Sequence, residues 1–151
     1  MKTHPYRKLG AMTALSFLSM YVLMYAMVDK AANALPNLNQ LYMAGLMTAP
    51  MVVIELLLMK AMYGNRRLNA AILGGSVVAL VACLAAIRDQ TAVGDEQFLR
   101  SMIPHHAAAI LMCDEAPIED AEIVALCENI VRSQQAEIQQ MRERLAELGD
   151  D

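Results

Sequence analysis

The spacing of apolar and polar positions divides this chain of 151 residues into two unlike parts. The first part holds three long apolar runs, at about residues 9–28, 41–63 and 69–87. Each run is close to the ~20 residues that a helix needs to cross the hydrocarbon core of a bilayer. The second part has apolar residues at every third or fourth position, which is typical of an amphipathic helix. We therefore predict an all-α protein with a membrane region at 1–88 and an extramembrane helical hairpin domain at 89–151.

The first helix of the hairpin is predicted to begin near Asp95, a good N-cap residue. Pro104 is expected to kink this helix or to restart it, because proline removes a backbone donor and crowds the preceding turn. A restart would place His105 and His106 in a first helical turn, where the positive end of the helix dipole favours neutral imidazole. Neutral imidazole is the form that binds metal ions.

The second helix of the hairpin is predicted from about Asp120 to Leu148, after a turn at Asp114–Asp120. Gln134 lies in its apolar stripe where an apolar residue is expected, and Glu137 borders that stripe. A polar group in a helix-packing face needs a partner, so we expect these side chains to meet the histidines of the first helix. The stripe consists of Ile123, Cys127, Ile130, Gln134, Ile138, Met141, Leu145 and Leu148.

Soft donors surround the histidine pair at helical spacing. An imidazole and sulfur donor set suits a soft ion such as Cu(I). Two alternatives stay open: the histidines join a hydrogen-bond network that only fixes the helices, and the two hairpin cysteines form a disulfide or are buried as thiols. The candidate metal ligands are Met102, His105, His106, Met112, Gln134, Glu137 and Met141, with Cys113 and Cys127 as less certain members.

Charge is distributed as unevenly as hydrophobicity. Residues 1–88 carry a formal charge of +6 and residues 89–151 a formal charge of −10. The acidic hairpin argues against a nucleic-acid partner, because phosphate binding needs a basic face. The basic residues flanking the spans place the N-terminus in the cytoplasm and the hairpin outside, which predicts a cytoplasmic-membrane protein with a periplasmic or extracellular domain. These basic residues are Lys2, Arg7, Lys8, Arg66 and Arg67.

The membrane region offers two further features. Glu55 lies within the second span, where an ionisable group is either functional or paired with a polar neighbour. Methionines recur along one face of the first and second spans, which indicates either a path for a soft cation or adaptable apolar packing, and packing is favoured. The methionines concerned are Met20, Met24, Met27, Met43, Met47 and Met51. The chain has no nucleophile–base–acid set, phosphate-binding loop or zinc-protease motif, so we predict a binding protein and no enzyme.

The hairpin resembles the bacterial domain of unknown function numbered 305. The resemblance rests on Met102-Ile103-Pro104-His105-His106 and on Gln134-x-x-Glu137-Ile138-x-x-Met141, and it covers about residues 93–148. The spans resemble those of the membrane-anchored members. This resemblance implies ferritin-like helical packing and, as in some members, a periplasmic copper- or silver-binding protein. It implies metal-binding roles for Met102, His105, His106, Met112, Gln134, Glu137 and Met141, but not for the cysteines.

A single hairpin of this size buries too little apolar surface to be stable as an isolated domain. We therefore expect two or more copies of the chain to complete a ferritin-like bundle. The leading hypothesis is a membrane-anchored extracytoplasmic protein that sequesters or hands over Cu(I) or Ag(I). The alternatives are a copper transport component that uses its methionine-lined spans and a metal-free oligomerisation module.

Overall fold

Five α-helices and three short 3₁₀ turns make up residues 4–149, the part of the chain that this computed structural model describes. No strand occurs within that range, which confirms the prediction of an all-α protein. The helices are α1 (His4–Leu23), α2 (Leu38–Leu58), α3 (Arg66–Arg88), α4 (Asp95–Glu115) and α5 (Ala121–Gly149), and the 3₁₀ turns are Met24–Met27, Ala31–Asn33 and Lys60–Met62.

Three of these segments, Pro5–Met27, Leu38–Leu58 and Arg66–Arg88, are long and apolar enough to cross a membrane. The third begins three residues earlier than the predicted run, because the Asn65 side chain caps it by accepting hydrogen bonds from two backbone amides at 3.1 Å. The second ends five residues earlier than the predicted run, at a 3₁₀ turn.

The chain divides into two compact units. Unit 1 holds the residues up to Met24 together with Asn39–Thr91. Its core lies where the start of α1, the end of α2 and the start of α3 meet, around Leu9, Val52, Leu56 and Tyr63. The Tyr6 hydroxyl ties this end together by donating to Asn69 Oδ1 at 2.8 Å and accepting from the Asn65 amide at 3.0 Å.

The opposite end of unit 1 is held by polar contacts between the start of α2 and the segment after α3. The side-chain amides of Asn39 and Gln90 pair reciprocally at 3.0 and 3.2 Å. The Tyr42 hydroxyl donates to the Thr91 carbonyl at 2.8 Å. These contacts at both ends show that α1, α2 and α3 run up, down and up.

Unit 2 consists of α4, α5 and the segment Tyr25–Leu38 that connects α1 to α2. Its core is formed by Ile103, Ala107 and Ile110 of α4 and Ile138 of α5. Two side chains of the connecting segment, Val28 and Leu35, pack against the same core. We call residues 25–38 the connecting segment; its sequence pattern gave no sign that it belongs to the hairpin.

Polar contacts also hold the connecting segment to the hairpin. The Arg142 guanidinium donates to the Ala32 carbonyl at 2.6 Å and to Asn33 Oδ1 at 2.8 Å. The Gln97 side chain accepts from the Leu38 amide at 3.1 Å. Unit 2 therefore has three parts, which are the connecting segment, α4 and α5. The connecting segment precedes α2 and α3 in the sequence, and the two helices follow them.

Candidate metal centre

Helix α4 runs without interruption from Asp95 to Glu115 and contains Pro104 in its interior. The expectation that the helix restarts at this proline is wrong. Pro104 and its neighbour Ile103 are both buried, and this packing holds the helix together although proline donates no backbone hydrogen bond. His105 and His106 therefore lie in the middle of α4, where the helix dipole has little effect on their charge.

His106 points from α4 toward α5 and is held at both ring nitrogens. Its Nδ1 lies 2.9 Å from the Met102 carbonyl oxygen, one turn earlier in the same helix. Its Nε2 lies 2.8 Å from Oε2 of Glu137. The side chain is only 11% exposed, so these two contacts fix the orientation of the ring.

Glu137 is oriented in its turn by its own helix. Its second carboxylate oxygen, Oε1, accepts a hydrogen bond of 2.7 Å from the Ser133 hydroxyl, one turn earlier in α5. The pKa of the Glu137 carboxyl is lowered from its ordinary value, first by this hydrogen bond and then by the one from His106. Sequence analysis missed Ser133; the spacing of four residues between a serine and a glutamate in a helix was the signal available.

The two contacts of His106 define where its protons sit. A carbonyl oxygen only accepts, so Nδ1 must carry a proton to bond with Met102. An ionised carboxylate also only accepts, so the Nε2 contact with Glu137 requires a second proton or another cation between the two groups. Histidines that ligate metals usually donate their other ring N–H to a carbonyl or carboxylate. The Nδ1 contact of His106 with the Met102 carbonyl has this arrangement, and its Nε2 is occupied by the contact with Glu137.

Three other candidate ligands lie within one helical turn of this pair. Met102 is half-buried and precedes His106 by four residues on α4. Met141 follows Glu137 by four residues on α5 and packs against the hairpin core. Gln134 is half-buried three residues before Glu137. Residues three or four apart share a helix face, so α4 and α5 present their thioethers on the faces that carry His106 and Glu137.

His105 and Met112 are not brought to this pair. His105 is exposed, and the Met112 side chain is 54% exposed. They lie seven residues apart, on a line of α4 that is separate from Met102 and His106. Within residues 4–149, no three His, Cys, Asp or Glu side chains come together as a metal site.

Cys113 and Cys127 form a disulfide between α4 and α5, with their Cα atoms 5.3 Å apart. The alternative that they ligate metal beside His106 does not hold in this state, because neither sulfur is available as a thiolate. Cys83, on α3, is the free cysteine of the described chain.

The structure also shows the surroundings of Glu55 and of the α2 methionines in the membrane region. The Glu55 carboxylate accepts a hydrogen bond of 3.1 Å from the Tyr63 hydroxyl, so it has the polar neighbour considered above. An apolar cavity of about 760 Å³ lies among α1, α2 and α3, and none of the residues that line it is a methionine. Met43 and Met47 are 39% and 45% exposed. The methionine stripe of α2 therefore does not line this cavity.

Comparison with known proteins places the chain in a family. The profile of the family described as "Domain of unknown function (DUF305)" matches residues 69–145, which include α3 as well as the hairpin. An uncharacterized protein of Acanthamoeba polyphaga mimivirus is 35% identical over 113 residues, which cover 74% of this chain and 72% of that protein. No solved structure matches the chain. The chain belongs to the DUF305 family, in agreement with the resemblance found in its sequence.

Proposed function

We propose that this protein is a membrane-anchored, extracytoplasmic metal-binding protein that sequesters or hands over Cu(I) or Ag(I). One observation carries the proposal: the His106 ring is held through Nδ1 by the Met102 carbonyl, while its Nε2 is directed at Glu137 on the facing helix. A cation would bind at Nε2 by replacing the direct contact with Glu137, while the Nδ1 contact keeps the ring in place. A metal ion bound there would take the place of the Nε2 proton, because only the unprotonated nitrogen is a ligand.

The neighbouring donors favour a soft ion over a hard one. Met102 and Met141 lie on the helix faces of His106 and Glu137, and thioethers bind Cu(I) and Ag(I) well but have little affinity for Mg²⁺ or Ca²⁺. Glu137 has a separate role in this proposal. Its carboxylate orients the ring in the metal-free protein, and its negative charge attracts a cation to the hairpin.

One hairpin supplies only part of such a site, and this supports an assembly of two or more copies. The fully buried side chains of the hairpin are few, while many large apolar side chains remain on its surface. His105 and Met112, which lie exposed on a neighbouring line of α4, would then be the donors offered to a second copy. The exposed apolar side chains are Phe98, Met112, Ile123, Val124, Leu126 and Leu148, each between 38% and 56% exposed.

The proposed orientation has the N-terminus in the cytoplasm and the hairpin on the outer side of the membrane. The basic residues Lys2, Arg7 and Lys8 at the N-terminal end of the first span, and Arg66 and Arg67 at the start of α3, support it through the positive-inside rule. The Cys113–Cys127 disulfide supports it independently, because disulfides persist in extracytoplasmic, oxidising compartments. The acidic hairpin would then lie on the side where external metal ions arrive.

Cu(I) competition titration tests this proposal. The full-length chain in detergent micelles would compete with bicinchoninate for Cu(I), with its disulfide intact and with Cys83→Ala to remove the remaining thiol. We expect His106→Ala to weaken Cu(I) binding at least about 100-fold, and Glu137→Gln to weaken it about 10-fold as a group that orients a ligand. His105→Ala is the matched control, and the structure predicts a smaller loss for it. Equal affinity in the wild type and in His106→Ala would overturn the proposal.

A further inference from the structure

The Cys113–Cys127 disulfide joins the last turns of α4 to the second turn of α5. Both cysteines are half-buried, and both line an open cavity of about 430 Å³ formed by residues of the two helices. Because the cavity is open to solvent, a small reductant can reach the sulfur atoms. This disulfide is therefore accessible, in contrast to one sealed within a core.

The hairpin has other means of keeping its two helices together. Ile103, Ala107 and Ile110 of α4 pack against Ile138 of α5, and the connecting segment adds to this core. Ile110, which is 2% exposed, lies three residues before Cys113. We therefore expect the two sulfur atoms to stay close together after the bond between them is broken.

Reduction would convert the disulfide into a pair of soft ligands. A dithiol reductant supplies two electrons and two protons, the bond between the two sulfurs breaks, and the reductant leaves as its own disulfide. A monovalent soft ion can then bind both sulfurs as thiolates, with release of two protons. The resulting complex carries one negative charge, and the cavity around it is lined by the Arg132 guanidinium and by the carboxylates of Asp114 and Glu128.

The donor set selects the metal. Within residues 4–149, no group of three or more His, Cys, Asp or Glu is arranged to hold a metal ion, although Asp114 and Glu128 line the same cavity as the cysteines. Structural Zn²⁺ requires four ligands, whereas two thiolates suffice for Cu(I) or Ag(I), which prefer sulfur. The two sulfurs therefore favour a monovalent soft ion over Zn²⁺.

We propose that Cys113 and Cys127 form a second soft-metal site on the hairpin, closed in the disulfide state and opened by reduction. This site needs no contribution from His106, which lies seven residues before Cys113, or about 10 Å along α4. The hairpin would then hold more metal under reducing than under oxidising conditions.

Silver binding by the full-length chain in detergent micelles tests this inference. Ag(I) is the probe because it does not change oxidation state in contact with thiols. Every variant would carry Cys83→Ala, so that Cys113 and Cys127 are the only cysteines. Bound Ag(I) would be counted by native mass spectrometry in the oxidised protein and in protein reduced with a dithiol that is then removed without air.

The reduced protein should hold one more tightly bound Ag(I) than the oxidised protein. Cys113→Ser should weaken this additional site about 100-fold, because the second sulfur of an intact pair binds at a high effective concentration. Equal Ag(I) counts in both redox states would overturn the inference, as would full affinity in the single-cysteine variant. A loss of helical circular dichroism on reduction would also overturn it, since the helices could no longer hold the pair.

A His106→Ala variant separates this inference from the proposed function. The redox-dependent difference of one Ag(I) should persist in that variant, while the Ag(I) bound by the oxidised protein should be lost. If the oxidised protein binds Ag(I) equally well with and without His106, the proposed function is wrong, but the inference about the cysteine site is unaffected. If the oxidised and reduced proteins bind the same number of Ag(I) ions while His106 is still required, the inference about the cysteine site is wrong and the proposed function is unaffected.

Discussion

Nε2 of His106 lies 2.8 Å from Oε2 of Glu137, and this contact joins the middle of α4 to the middle of α5. The sequence gives no reason to prefer one of the two adjacent histidines as the residue that meets α5, whereas this contact identifies it as His106. His106 is nearly buried between the helices, and His105 is exposed on a neighbouring face.

The core beside His106 should be sensitive to loss of volume. Ile103 is fully buried, so Ile103→Ala should lower the stability of the hairpin by about 2–5 kcal/mol, the usual cost of a large cavity-forming substitution. Amide hydrogen exchange of α4 in the full-length chain measures this as loss of protection. Ile123→Ala is the control, since Ile123 is 48% exposed and its loss should cost only a few tenths of a kcal/mol. Equal effects at the two positions would contradict the described core.

The connecting segment should depend on Arg142. Arg142→Ala removes hydrogen bonds to the Ala32 carbonyl and to Asn33, and bonds from a charged donor contribute about 1.5–3 kcal/mol when their partners are not exposed. Because Arg142 is itself exposed, we expect a loss of about 1–2 kcal/mol, seen as faster hydrogen exchange at residues 29–35.

Arg144→Ala provides the comparison for this experiment. Arg144 pairs with Glu147 on the surface of α5, and such exposed pairs contribute about 0–1 kcal/mol. Exchange at residues 29–35 should therefore stay unchanged. If Arg142→Ala also leaves that segment protected, the connecting segment is not held to the hairpin in the way described.

Ser133 should control the acidity of Glu137. The folded-state pKa of this carboxyl lies below its ordinary value of 4.5. Its contribution to stability is therefore fully present above about pH 4.5 and is lost as the pH falls through the lowered folded-state pKa. Ser133→Ala removes the larger cause, so the pKa of Glu137 should move back up toward its ordinary value. NMR titration of the side-chain carboxyl in the metal-free protein measures the pKa directly, and an unchanged pKa would show that the Ser133 contact is not made.

Local sequence signals predicted the helices of the hairpin well. Helix α4 begins at Asp95 as expected, but Asp95 is not its cap: Gly94 holds the N-cap position and makes no side-chain cap hydrogen bond. Asp120 caps α5 by accepting hydrogen bonds from two amides at 2.9 and 3.0 Å. The helix does not restart at Pro104, because tertiary packing buries this proline and offsets its local cost. Propensity describes an isolated helix, and packing can override it.

Long-range relationships were harder to predict from the sequence. The contact of the connecting segment with Arg142 joins residues more than 100 positions apart, and no periodic pattern in the sequence predicts it. The pairing of Cys113 with Cys127 stayed one of several alternatives, since spacing alone does not bring two sulfurs together. The position of Glu137 beside an apolar stripe predicts that it meets a histidine of the facing helix. Only the structure shows that this histidine is His106 and that His105 makes no contact with Glu137.

X-ray absorption spectroscopy of the Cu(I)-loaded protein tests the central claim most directly. The full-length chain would carry Cys83→Ala and keep its Cys113–Cys127 disulfide, so that thioether sulfur is the sulfur donor that remains. The account predicts that copper has both imidazole nitrogen and sulfur among its nearest neighbours, and that the imidazole contribution is clearly reduced in His106→Ala. An imidazole signature that persists unchanged in His106→Ala would contradict the account, because copper would then be bound elsewhere.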